Sequence, residues 1–257
     1  MIRPLLAILC TVVSLASAQD EAAKPPTAPP ASDQAAAPEK LHVEKLDATR
    51  YWIGKVILDQ KSREIRFPAK MNMDSGLLEF LLVLEKGKVH EAMLVTDASP
   101  IHLNLAFMLL RYPPSTELFS QLNETGHMTG LLPNVPMEVR AGARILIEVE
   151  WKDSEGKIHR NPVNQWIQHS KKEAIMPPGP WLYTGSMSHE GKYVPDITGD
   201  IAAIFTAGEA MINYPGNDAE SDLVWFAAPT GVPAKDTEVT LIITPFYKKP
   251  AAPEPPK

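Results

Sequence analysis

Four side chains within the stretch Leu77–Tyr112 carry the chemistry this sequence offers most openly: Glu79, His90, Glu91 and His102. A carboxylate beside an imidazole is a donor set for metal binding or acid–base work. If residues 77–96 form two regular strands, neighbouring side chains alternate faces, so His90 and Glu91 point apart and cannot chelate one ion together. His90 then shares a face with Glu79, but at an offset of roughly 13 Å along the strand. Only a bulge or a third element assembles them. Each acid nonetheless lies inside an apolar run, where a carboxyl is either paired or has its pKa raised. Pairing with Lys or Arg is the expected structural role, and acid–base catalysis is the minority reading. His102 falls in the first turn of an expected helix, whose dipole disfavours protonation, and a hydrogen-bonded core histidine is its ordinary role.

Other constellations carry less. Asp196-Ile197-Thr198-Gly199-Asp200 places oxygen ligands at alternate positions, as a calcium loop does, yet lacks the rest of such a signature; an Asx turn explains it equally well. Asn217 to Asp222 is a similar acidic loop. Ser186 and Ser188 neighbour His189 in sequence only. Trp52, Trp151, Trp166, Trp181 and Trp225 are enough for a sugar-binding platform, although tryptophans in β-rich domains more often fill the core. No G-x-S-x-G, H-E-x-x-H, G-x-x-x-x-G-K or Gly-rich dinucleotide turn occurs. No cofactor is expected from these residues.

These side chains must be positioned by the most apolar run outside the N-terminus. Taking Lys86-Gly87 as a two-residue loop, a hairpin would pair Leu84 with Val89, Val83 with His90, Leu82 with Glu91 and Phe80 with Met93. Both faces of both strands are then apolar, so the hairpin should be central and doubly covered. Ser99 and Pro100 supply a helix cap and first residue, Ile101–Leu110 should be a buried helix, and Pro113-Pro114 stops it. Upstream, Tyr51–Asp59 and Glu64–Pro68 read as a hairpin, with Ile65 and Phe67 on its buried face. Downstream, 115–142 is irregular, and Arg144–Trp151 alternates cleanly and pairs back with Lys157–Arg160. Asn161-Pro162 opens a short helix. Trp181–Ser186, Lys192–Val194, Ile201–Phe205, Leu223–Phe226 and Glu238–Thr244 are strands, and Gly208–Asn213 a short helix. The second block loosely echoes the first, as a weak internal duplication would.

The ends differ in composition. Residues 1–18 have Arg3, an apolar centre and Ala16-Ser17-Ala18, the pattern of a signal peptide cleaved near Ala18. Residues 19–44 are an Ala/Pro-rich linker without enough apolar surface to fold, the domain occupies 45–247, and 248–257 is a Pro-rich tail. The expected location is therefore secreted or periplasmic. The net charge of −6 gives no basic footprint for nucleic acid, and no transmembrane helix is expected in the mature chain. Cys10, the only cysteine, lies in the leader, which excludes disulfides, a thiolate nucleophile and iron–sulfur ligation in the mature chain.

The pieces GLLEFLLV, GKVHEAMLVTDASPIHLNLAFMLL, ILIEVEWKDSEGKIHRNPVNQWI, WLYTGS and GDIAAIFT, in that order, resemble the YdjY domain. The resemblance covers most of residues 53–245 and is most specific over Gly87–Thr96 and Trp151–Trp166. It implies a domain frequent in secreted proteins of planctomycete-type bacteria, and it implies no reaction. The iron–sulfur label carried by some members does not suit a mature chain without cysteine. Arg111–Gly142 departs from the family by being longer and less regular. The expected fold is α+β, a mainly antiparallel sheet with two or three short packed helices. The expected function is an exported non-catalytic binding or scaffold module that engages an envelope or extracellular protein or glycan. The alternative is an enzyme or metal-binding protein with a scattered Glu/His site, drawn from Glu79, His90, Glu91 and His102.

Overall fold

The computed structural model describes residues 42–246. The expected signal peptide, most of the linker and the Pro-rich tail lie outside the described residues. The strands in chain order are β1 (Val43–Lys45), β2 (Arg50–Ile53), β3 (Val56–Asp59), β4 (Glu64–Met71), β5 (Phe80–Leu84), β6 (Ala92–Thr96), β7 (Arg144–Lys152) and β8 (Ile158–Pro162). They continue as β9 (Ile167–His169), β10 (Trp181–Tyr183), β11 (Ser188–His189), β12 (Lys192–Tyr193), β13 (Asp200–Ala203), β14 (Ile212–Asn213), β15 (Trp225–Ala227) and β16 (Glu238–Pro245). The helices are α1 (Pro100–Leu109), α2 (Met137–Gly142) and α3 (Val194–Thr198), with 3-10 turns at Val89–Glu91 and Val163–Trp166.

The fold is not the expected α+β sheet. β4, β16, β7, β10, β14, β13, β5 and β6 are hydrogen-bonded in that order, and β6 returns to β4 through Lys70–Val95 and Met71–Leu94. The result is a closed eight-stranded barrel in a chain that is 36% strand and 14% helix. It is mixed, because β13–β14 and β5–β6 run parallel. Closure removes the two free edges that an open sheet would expose. Alternation along a strand reports which face is buried and is silent on which strand lies alongside, so a barrel and an open sheet read alike. The meander β1–β3 hangs on β4, and β8 hangs on β7. β1 begins at Val43, inside the stretch expected to be linker.

The central hairpin is also corrected. β5 and β6 are parallel, with Phe80 opposite Ala92, Leu82 opposite Leu94, Val83 opposite Val95 and Leu84 opposite Thr96. The chain returns between them over Glu85–Glu91, although parallel neighbours usually need a connection of about a dozen residues. Two contacts make the short return possible. Leu84 N–H donates to Gly199 O at 2.8 Å instead of closing a hairpin. Gly87 lies against Gly199 so closely that a Cβ on Gly199 would sit 2.8 Å from Gly87 Cα. Double burial, the feature that suggested central strands, does hold: every residue of β5 and β6 is buried. Leu81, Leu82, Met93 and Leu94 join the main core, while Phe80, Val83, Ala92 and Val95 form a second cluster with Ala203 and Ala210.

Helix α1 starts at Ser99 and Pro100 as expected, but it is buried on one face only. Leu103, Ala106 and Phe107 enter the main core, whereas Met108 is 62% exposed. The apolar run was continuous because Ile101, Met108 and Leu109 face outward. Two further corrections are local. Residues 51–59 are two strands around a Gly54-Lys55 turn, and 208–213 is a turn entering β14 rather than a helix. The 3-10 turn Val163–Trp166 replaces the helix expected from Asn161, and α2 emerges within 115–142. β7 and β16 fall where alternation placed them, and β8 pairs back on β7 as expected but runs on through Asn161-Pro162.

Candidate functional site

The unusual connection Glu85–Glu91 decides where the candidate residues go. Residues 89–91 are a 3-10 turn, so strand alternation does not apply to His90 and Glu91. His90 Nε2 lies 2.9 Å from Glu91 Oε1, and the two residues do not point apart. The backbone N–H of Glu79 donates to Glu91 O at 3.0 Å, which brings the end of the connection against the start of β5. The Glu79 carboxyl is pushed up to about 7 by burial, then by the hydrogen-bonding and charge of Glu91 and the charge of Asp222, with Lys88 acting in the opposite direction. Glu79, His90 and Glu91 are thus brought together by a third element.

Lys88, which sequence reasoning passed over, lies in this cluster. Its ammonium lies 3.0 Å from Asp200 Oδ2 and 4.8 Å from the Phe80 ring centroid. The Asp200 side chain is 1% exposed, and among the described residues its Oδ1 has no hydrogen-bond partner. Burial pushes its carboxyl up, and Lys88 opposes that shift. Asp200 therefore faces Lys88. Asp196, its companion in the calcium reading, instead caps α1, accepting from Ile101 N–H at 3.3 Å. Among the described residues no group of three or more His, Asp or Glu side chains is placed to hold a metal ion.

His102 lies elsewhere, buried on α1 beneath the β2–β3 turn, where a Cβ on Gly54 would come within 2.5 Å of its Nδ1. The five tryptophans do not form one platform. Trp166, Trp181 and Trp225 are core residues, Trp151 stacks on His159 at 5.1 Å, and Trp52 is exposed on β2. Ser186 donates to Glu209 O rather than to His189. In the 217–222 loop, Asp218 pairs with Lys172 at 2.6 Å and with buried His169 at 3.4 Å.

A second feature lies on the outer face of the barrel. A trough of about 670 Å3 crosses β4, β16 and β7, walled by Lys55 of the β2–β3 turn, Glu85 of the return connection and Thr96-Asp97 at the end of β6. Lys55 and Asp97 form an ion pair on that wall. Glu238 stands directly opposite Lys70. One residue beyond the ladder pair Val239–Trp151, Glu238 also reaches the level of Lys152. Lys70, Glu238 and Lys152 thus form one cross-strand row, and among the described residues none has an ion-pair or side-chain hydrogen-bond partner. Beside them, Arg66 pairs with Glu150 at 2.8 Å and Glu64 at 3.1 Å, and so fixes the floor. The row was visible in the sequence only as outward positions of alternating strands; the pairing register is what assembles it.

Among the described residues no helix is long and apolar enough to cross a membrane. No curated protein and no solved structure matches the chain. The family model for the YdjY domain matches residues 56–244, from β3 to the penultimate residue of β16. That span holds the barrel except the last residue of β16, the return connection and most of the trough, and it covers more than half of the sequence. The chain belongs to the YdjY domain family.

Proposed function

We propose that this chain is an exported, non-catalytic binding module whose trough holds an extended acidic glycan of the envelope or extracellular space. The observation that carries the reading is the unpaired row Lys70–Glu238–Lys152 on a floor of three hydrogen-bonded strands. Side chains on adjacent strands stand about 5 Å apart, so the row repeats charge on a scale matched to the groups of one or two sugar residues. Two ammonium groups suit carboxylates, and the glutamate between them suits hydroxyl or amino groups. The open shape of the trough admits an extended polymer, and its lysine row suits an acidic one. Export is supported by the leader-like residues 1–18.

The test is isothermal titration at pH 6 and low salt with a uronic-acid polysaccharide and a neutral one. Binding of the acidic polymer, lost in Lys70→Glu/Lys152→Glu and weakened by salt, is the expected result. Equal binding of both polymers, or none, overturns the glycan reading. Retention of an envelope protein instead moves the trough to a protein partner.

In favour of the acid–base alternative stands Glu79, whose carboxyl is pushed up to about 7 by burial and by Glu91 beside it. The alternative loses His102, which lies apart from the pair beneath Gly54. Turnover of a glycoside or ester that Glu79→Gln abolishes would establish it.

A further inference from the structure

Among the described residues, lysine meets aspartate across the fold at Lys55–Asp97, Lys172–Asp218 and Lys88–Asp200, and the last pair is unlike the others. Asp97 and Asp218 are open to solvent. Asp200 is not: its side chain is 1% exposed, with Lys88 Nζ 3.0 Å from Oδ2. Asp200 Oδ1 has no hydrogen-bond partner among the described residues, and Nζ stands over the Phe80 ring, 4.8 Å from its centroid. The Lys88 side chain is 44% exposed, so the acid is the partner withdrawn from water. A carboxylate buried with one oxygen unpaired is costly, and a neutral product relieves that cost.

The backbone holds the two groups at this approach. Gly87 precedes Lys88 and Gly199 precedes Asp200, and a Cβ on Gly199, which has φ +84°, would sit 2.8 Å from Gly87 Cα. Asp200 is fixed in β13 opposite Val83 of β5. On the far side of Lys88, Asn72 Nδ2 donates to Val89 O at 2.5 Å and to Ala92 O at 2.7 Å.

We propose that Lys88 and Asp200 are a covalent modification site, at which the two side chains condense into an intramolecular amide that ties the return connection to β13. The ammonium first passes a proton to Oδ2 across their contact, leaving a neutral amine and a neutral acid. Burial pushes the Asp200 carboxyl toward its neutral form against the hydrogen bond and charge of Lys88, and the charges of Glu209 and Glu91 act with burial. Nζ then attacks Cγ. The N–C bond forms, the Cγ–Oδ2 bond breaks, and Oδ2 leaves as water with the proton it accepted and a second one from Nζ. Oδ1 remains as the amide carbonyl, and nothing is oxidised or reduced. Reactants held in contact by a rigid frame behave as if highly concentrated, which is how an unactivated acid can condense. The amide closes a loop between residues 112 apart. A chain whose only cysteine is Cys10 has no intramolecular disulfide to do this. The proposal does not depend on the glycan reading.

Mass spectrometry of the folded full chain, intact and after denaturation and tryptic digestion, tests it. The wild type should be lighter than its sequence by one water, with fragments 87–111 and 193–235 joined and no cleavage after Lys88. Lys88→Arg keeps the charge but cannot form this amide, and should release 193–235 unjoined. If that variant does not fold, the wild-type digest decides alone. Free fragments in the wild type, or loss of water without their joining, overturns the proposal and leaves Lys88–Asp200 an ion pair.

Discussion

At the scale of single residues, the candidates divide by whether their neighbours come from their own element. Glu79, His90 and Glu91 gained their roles from a turn that local pattern reads as strand. His102 kept the ordinary role, a packed histidine under a glycine. Gly54 has φ +56°, and its missing Cβ is what leaves room for the ring. Gly54→Ala should therefore cost about 2 kcal/mol, combining the unfavourable positive φ with a contact that His102 can relieve only by moving. Urea denaturation followed by circular dichroism measures it, and unchanged stability would show that the imidazole is not held as described.

At the scale of elements, α1 is fixed at both ends by residues distant in sequence. Asp196 accepts from the N–H of Ile101, and Arg63 Nε donates to Leu110 O at 3.0 Å with Nη2 reaching Arg111 O at 3.2 Å. The same guanidinium lies 4.2 Å from the Tyr112 ring centroid, and Tyr112 hydroxyl donates to Arg63 O at 2.6 Å. A cation at a helix C-terminus satisfies carbonyls that the helix leaves open. Arg63→Ala should cost about 1–2 kcal/mol, and Arg63→Lys should recover only part of it, because an ammonium cannot span two carbonyls and stack as the planar fork does. Thermal unfolding of the three proteins decides the order, and a lysine variant as stable as wild type would rule out the fork.

At the scale of the whole molecule, the barrel closes at a short seam. β4 meets β6 through only two ladder pairs, reinforced by Thr96 Oγ1 donating to Pro68 O at 2.6 Å. β4 is shared by β3, β6 and β16, so the outer meander and the barrel use one strand. Both should unfold together, in one transition with coincident tryptophan fluorescence and far-ultraviolet circular dichroism. A separate early transition would show that β1–β3 detaches from a barrel stable without it. Addition of a thiol reductant should leave the midpoint unchanged, since the only cysteine is Cys10.

The sequence by itself determined where strands such as β7 and β16 lie, which face of β7 is buried, where α1 begins, and that β5 and β6 are covered on both sides. Those properties follow from side-chain period and local capping, which act over a few residues. The tertiary structure alone decided that β5 and β6 are parallel, that the sheet closes into a barrel, and that Lys70, Glu238 and Lys152 stand in one row. A fully apolar strand carries no alternation from which to read direction, and a partner strand more than a hundred residues away leaves no mark on local pattern. The candidate site changed for the same reason: Glu79, His90 and Glu91 meet only because a seven-residue return, made possible by Gly87 against Gly199, replaces the hairpin that the period implies.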